Sequence, residues 1–355
     1  MRYIGSKLKL LSNIEDFISK NITDENTTFC DLFAGTGTVG SYFNQKYKII
    51  SNDYMYYSFI LNKGKLNYDG SYSFTKLKKH LNVDDIFKYY SDLILDVNTV
   101  KESDNNFVFN NYTKGFSDRM YFSNENGLKI DHIRKSIDLW RNDDLIDENE
   151  YYYLLMCLIE STSKVSNTTG VYGAYLKKYD SRAIKNMEFL KIEVTDFNNS
   201  ENFVYNENVN DLIKTLSGDI VYIDPPYTNQ QYCDQYHLLE TLAKYDSPEI
   251  KGITGKRSGD KSLYCYKKTA DENIEDLIKN LNFKHIILSY SDQSIVSIER
   301  LIEILKKYGI PETLSYEKIV YNAYKNNRTD NSKNNENKLH EYLFYIRKKW
   351  ISTKL

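Results

Sequence analysis

Proline and cysteine are scarce in this sequence, charge of the two signs nearly cancels, and no long apolar run occurs. The longest uninterrupted apolar stretch, Tyr151 to Ile159, falls far short of the roughly 18–20 residues needed to cross a bilayer. The N-terminus, Met1-Arg2-Tyr3-Ile4-Gly5-Ser6-Lys7, lacks the apolar segment of a secretory signal. Neither a membrane protein nor a secreted one is expected. The 4 cysteines, Cys30, Cys157, Cys233 and Cys265, are scattered without a C-x-x-C pair, which fits neither a disulfide framework nor a structural zinc site. Reduced thiols in a cytoplasmic protein are the simple reading, with Cys30 and Cys157 in the core. The 5 histidines stand far apart in the chain, so no His-built metal centre is expected. A net charge of −2 does not imply a nucleic-acid partner, which would need local basic patches.

The chain's 355 residues suffice for two domains or one enlarged one. Hydrophobic residues make up 41%, but 33 of them are tyrosine, leaving a core that is adequate and not greasy. Short apolar runs read as strands at Thr28–Ala34, Lys48–Asp53, Asp219–Ile223 and Lys284–Tyr290, with helical patterns between them. In Tyr236–Tyr245, Leu238, Leu242 and Tyr245 share one helical face, flanked by Leu239 and Ala243; His237 reads as packing on that helix's surface. Alternation of strands and helices predicts an α/β fold, a mostly parallel sheet with helices on both faces. Residues from about 66 to 195 break the rhythm and read as an insertion holding one strongly apolar helix near Glu148–Ser161. Tyr316–Tyr321 and Glu341–Ile346 read as a late hairpin with an Asn/Lys-rich, mobile tip at Asn326–Lys338.

Two motifs carry chemistry. Gly35-Thr36-Gly37-Thr38-Val39-Gly40 follows the first strand as G-x-G-x-x-G, and Asp53 closes the second strand. Glycine lets backbone approach a ligand and a carboxylate there can accept ribose hydroxyls, so a nucleoside-containing cofactor is indicated without saying which. Asp224-Pro225-Pro226-Tyr227 follows the third predicted strand and spends 2 of the chain's 4 prolines at one spot. Two prolines fix their own φ and remove two N–H donors. What remains is a rigid ledge of acceptors beside an aromatic ring, suited to a planar substrate bearing an amine.

In this order, Tyr3-Ile4-Gly5-Ser6-Lys7, Asp31-Leu32-Phe33-Ala34-Gly35-Thr36-Gly37, Asn52-Asp53 and Asp224-Pro225-Pro226-Tyr227 resemble the D12 class of adenine-N6 DNA methyltransferases, the Dam-type family. Leu288-Ser289-Tyr290-Ser291-Asp292 and Glu341-Tyr342-Leu343 extend the resemblance. It implies a Rossmann-like S-adenosylmethionine-dependent catalytic domain made of residues 1–65 and 196–355, with an inserted target-recognition region at 66–195. It implies cofactor contacts from Tyr3, Lys7, Asp31, Phe33, Gly35, Gly37, Asp53 and Asp224, with Asn208 the candidate for the adenine position. Catalysis falls to Asp224, Pro225, Pro226 and Tyr227, with the target base flipped out of double-stranded DNA and stacked on Tyr227. No metal is required. Departures from the family pattern at Ala34 and Thr36 lie where members vary.

DNA contacts would need basic surface. Lys251 to Lys268 holds Lys251, Lys256, Arg257, Lys261, Lys267 and Lys268 against one acid, Asp260, with Tyr264 and Tyr266 interleaved and Gly252, Gly255 and Gly259 allowing mobility. A DNA face and a plain solvated loop stand level on sequence alone. Asn167 to Lys178, with Tyr172 and Lys177, is a second candidate, and Tyr324, Lys325 and Arg328 a third. Methylation of cytosine N4 or of RNA, a non-catalytic DNA binder, and a nicotinamide enzyme are the alternatives. Asp224 favours adenine over cytosine, and no stretch reads as a nuclease centre, so a cognate restriction endonuclease would be a separate chain.

Overall fold

A computed structural model describes residues 3–70, 72–195, 201–322 and 338–349. The expected mobile hairpin tip lies outside them except for Lys338, and so do Tyr324, Lys325 and Arg328. The main sheet comprises β1 (Thr28–Asp31), β2 (Lys48–Asn52), β3 (Phe203–Tyr205), β4 (Gly218–Ile223), β7 (Phe283–Ser291), β8 (Ser315–Asn322) and β9 (Lys338–Arg347). A two-stranded ribbon, β5 (Ile250–Lys251) and β6 (Lys256–Arg257), stands apart. Strand order is β3-β2-β1-β4-β7-β9-β8. β3, β2, β1, β4 and β7 run parallel to one another, and β9 runs antiparallel between β7 and β8. Sequence reading missed β3, whose three half-buried residues are too few to show an apolar period.

Alternation along each strand feeds two cores. Phe29, Ile49, Ile220, Tyr222, Ile287, Leu343 and Tyr345 face α1 (Leu11–Asn21) and α2 (Thr38–Phe43). Their neighbours Cys30, Ile50, Val221, Ile223, Ile286, Leu288, Phe344 and Ile346 face α9 (Val209–Leu212), α12 (Ala270–Asn280) and α13 (Ile298–Tyr308). Helices thus cover both faces, as the strand–helix rhythm predicts, and Cys30 and Cys157 are fully buried.

A third core joins α3 (Tyr56–Leu66) and α11 (His237–Lys244) to five helices that precede β3. These are α4 (Thr75–Leu81), α5 (Ile86–Asp92), α6 (Phe107–Tyr112), α7 (Asn124–Asn142) and α8 (Glu148–Val165). The apolar helix expected near Glu148–Ser161 is α8, started by a reciprocal capping box between Asp147 and Glu150. Among the described residues no helix is long and apolar enough to cross a membrane.

Candidate active site

Parallel strands bring their carboxyl ends to one edge, and ligands bind there where the strand order reverses. Here the reversal falls between β1 and β4. Asp31 ends β1, Asp53 follows β2 and Asp224 follows β4, so three residues distant in sequence meet at one cleft. Asp224 also lines the cavity containing Lys7, Asp31, Gly35 and Thr36. The larger cavity, about 1000 Å³ to its open mouth, is lined by Tyr3, Phe33, Asp53, Asn208, Pro226 and Tyr264 among others.

The glycine turn is built for close approach. Gly35 and Gly37 have φ of +53° and +75°, the left-handed region that disfavours other residues. A Cβ on Gly35 would stand 2.8 Å from the Tyr3 ring, and one on Gly37 2.6 Å from Asn62 Oδ1. Tyr3 lies over the turn and stacks on Tyr236 with ring centroids 4.9 Å apart. The Tyr236 hydroxyl accepts the Ile4 N–H at 2.7 Å, which fastens the N-terminal segment across the cleft. Neither Tyr236 nor the supporting Asn62, which donates to the Gly35 carbonyl at 3.1 Å, stands out in sequence.

Asp53 accepts the Gly35 N–H at 2.7 Å and the Met55 N–H at 2.9 Å, so the acid and the glycine turn are locked together. Burial pushes its pKa up to about 7 against those hydrogen bonds. Asp31 is pushed to about 8 by burial and then by the charge of Asp224, while a hydrogen bond from the Gly40 N–H opposes the shift. Asn208 caps α9 by accepting from the Asn210 N–H at 3.0 Å, and it faces the cleft beside Asp53.

Pro225 is buried, while Pro226 and Tyr227 are partly exposed. The Tyr227 carbonyl accepts the Ile295 N–H at 3.0 Å and its ring meets Tyr290 edge-on at 5.8 Å. The ledge is therefore anchored to β4 at one end and to the segment after β7 at the other. Asp224 pairs with Lys7, whose Nζ lies 3.0 Å from Asp224 Oδ1 and 2.8 Å from Glu341 Oε1. Burial works against the Lys7 charge, but the two carboxylates outweigh it and hold its pKa well above the usual lysine range. The Asp224 carboxyl is raised to about 7 by burial, with Lys7 opposing and Glu341 reinforcing the shift. Lys7 is thus committed to two side chains of the protein itself.

The cavity suits an S-adenosylmethionine-like group on its own features: a cradle that a Cβ would fill, and three acids, Asp31, Asp53 and Asp224, at the strand edge. Such a donor set favours a cation.

Several of the expected DNA contacts are corrected. Tyr264 is 5% exposed; its hydroxyl donates to Asn210 Oδ1 at 2.6 Å and its ring meets Phe33 edge-on at 5.1 Å, so it belongs to the cavity wall. Tyr172 is 2% exposed, packed on Tyr121 and Tyr236. Arg257 chelates Asp246 at 2.9 and 2.8 Å with its side chain largely buried. His237 packs, as the sequence predicts, and is fully buried, with Nε2 2.8 Å from the Tyr172 carbonyl; burial lowers its pKa to about 4. The turn joining β5 to β6 is held in place. Arg119 donates to the Gly252 and Ile253 carbonyls, Tyr121 to Thr254 and Tyr112 to Gly255. Lys251, Lys177 and Lys267 are exposed. Lys256 and Lys261 share Asp234 at 3.9 and 2.7 Å.

A reversal of strand order flanked by acids, with a glycine turn on one side and a proline ledge on the other, defines a Rossmann-like sheet built to hold a nucleoside-containing ligand. Comparison with known proteins narrows that class. Residues 3–310 match the D12 class N6 adenine-specific DNA methyltransferases, and the chain belongs to that family. It is 42% identical over 351 residues to Type II methyltransferase M.FokI of Planomicrobium okeanokoites, covering 98% of this chain and 53% of that protein. Modification methylase LlaI of Lactococcus lactis subsp. lactis is 40% identical, with 98% and 55% covered. The chain thus spans about half the length of these two relatives. Type II methyltransferase M.NlaIII of Neisseria lactamica is 38% identical, with 98% and 99% covered.

Proposed function

We propose that the protein transfers a methyl group from S-adenosylmethionine to N6 of an adenine within a short sequence of double-stranded DNA, as the modification component of a restriction–modification system in the cytoplasm. The observation that carries this is Asp224, a carboxylate on a proline-stiffened ledge, sharing the cleft with Asp53 and the glycine turn. An adenine amine is a weak nucleophile because its lone pair is conjugated with the ring. Asp224 and the Pro225 carbonyl accept its hydrogens and favour a pyramidal nitrogen, and Asp224 is placed to take up the proton that the nitrogen sheds. Tyr227 offers a stacking face for a base turned out of the duplex.

Bound S-adenosylmethionine supplies a methyl group already activated on a sulfonium. Asp53 would hold the ribose, Phe33, Asn208 and Tyr264 would bracket the adenine, and Gly35, Gly37 and Asp31 would receive the methionine portion. The protein's contribution is alignment. Stacking contributes roughly 1–3 kcal/mol, only about the cost of unstacking the base, so further DNA contacts must supply the surplus. We assign them to Lys251, Lys256, Lys261 and Lys267 beside the cleft and to Lys177 in the region 66–195, which serves target recognition.

Single-molecule sequencing of DNA from cells expressing the protein, beside cells expressing Asp224→Ala, tests this. N6-methyladenine at one short motif, absent with the variant, is expected. Identical DNA from both would overturn the reading.

A further inference from the structure

Glu341 is fully buried at the end of β9 that reaches the carboxyl edge of the sheet. β9 runs antiparallel to β7, so its first residues arrive where the parallel strands finish, and Glu341 pairs in register with Ser291. Its Oε1 accepts from Lys7 Nζ at 2.8 Å and from Ser289 Oγ at 2.5 Å. Its Oε2 has no hydrogen-bond partner among the described residues. A buried carboxylate left half satisfied is costly, and packing alone gives no reason for one here. The same ammonium reaches Asp224 Oδ1 at 3.0 Å, so Lys7 bridges an acid that is 15% exposed at the cleft to one wholly hidden behind it.

We propose that Glu341 is a positioning residue for methyl transfer: by dividing the Lys7 ammonium with Asp224, it fixes the Asp224 carboxylate toward the target amine and keeps it a strong acceptor. This rests on the methyltransferase reading above. An undivided ion pair would draw Asp224 toward Lys7 and weaken it as an acceptor. With Glu341 sharing the cation, Asp224 keeps more of its own basicity, and the direction of its shift agrees: the Glu341 charge raises it while Lys7 lowers it. The other groups facing Asp224 are Asp31 from β1, Tyr222 from β4 and Tyr232 from α10 (Tyr232–Gln235). Tyr222 and Ser289 also face Glu341.

Glu341→Gln keeps the shape and both hydrogen-bond acceptances while removing the charge. Titration of the Asp224 carboxyl by 13C NMR, assigned with Asp224→Asn, is expected to move down by about one unit. The acid limb of kcat should move the same way and kcat fall about 10–100-fold, the scale of a small misalignment. KM for DNA and directly titrated S-adenosylmethionine affinity should stay within about twofold, since uniform binding is untouched. An unmoved Asp224 titration with wild-type kcat overturns the proposal. So does a loss of kcat, affinity and melting temperature together with Asp224 unmoved, which marks a structural role. Should Glu341→Gln fail to fold, Ser289→Ala loosens the same carboxylate and must lower kcat without changing cofactor affinity. The NMR titration needs no substrate, so it decides the coupling even if wild-type protein methylates no adenine.

Discussion

The strand edge at the cleft and the Lys251–Lys268 segment beside it handle charge in opposite ways. At the edge, one lysine is buried between two carboxylates, and two more acids stand near with pKa values pushed up by burial. In the segment, surface lysines lean on acids brought from elsewhere, Glu249 and Asp234, at 2.7 to 3.9 Å, and the largely buried Arg257 on Asp246. Exposed pairs are worth at most about 1 kcal/mol and exchange readily for phosphate. Buried ones carry a desolvation cost of several kcal/mol per ion, which makes them poor stability devices. On the proposed function the buried cluster serves chemistry rather than stability, and the surface cluster is a face on which a polyanion can settle.

Asp224→Ala should produce the largest effect that tests this contrast. We expect kcat to fall by more than about 10³-fold, beyond the loss of a single electrostatic donor, with little change in melting temperature; near-normal single-turnover rates would end the comparison. The raised acids set a pH dependence. Asp31, Asp53 and Asp224, with pKa values of about 8, 7 and 7, hold protons at pH 6 that a bound cation must displace. S-adenosylmethionine affinity should rise from pH 6 to 8, by up to about tenfold per pH unit for each proton displaced. The same shifts work against stability: the unfolded chain gives up these protons near pH 4, so stability falls as pH rises through the folded values. Calorimetric titration across that range checks the first, and flat affinity contradicts it.

Smaller effects separate the wall from the rim. Tyr264→Phe removes the 2.6 Å hydrogen bond to Asn210. It should weaken cofactor binding by about fivefold, about 1 kcal/mol, and leave DNA affinity alone; weakened DNA binding would return Tyr264 to the DNA face. Lys251→Ala or Lys256→Ala should each lower the slope of log affinity against log salt by about one. Arg257→Ala, whose guanidinium is taken by Asp246, should leave that slope unchanged, and a reduced slope there would restore it as a phosphate contact.

How legible each part was follows from where its partners lie. The glycine turn, Asp53 and the Asp-Pro-Pro-Tyr ledge are local, because a tight turn or a fixed φ needs particular residues at fixed spacing. Strands of the main sheet with four or more residues showed through, whereas the three half-buried residues of β3 did not. Tyr172 and Tyr264 were misplaced because sequence shows an amphipathic residue without showing which surface covers it. The basic segment looked unbalanced because three of its acids lie outside it.

By itself, the sequence determined that strands alternate with helices, that a glycine turn follows one strand and a proline ledge another, and which family the chain resembles. Only the tertiary structure decided that Lys7 stands between Asp224 and Glu341. Those residues are separated by 217 and 334 positions, and no local rule links them. They meet because parallel strands end at one edge and a single antiparallel strand begins there.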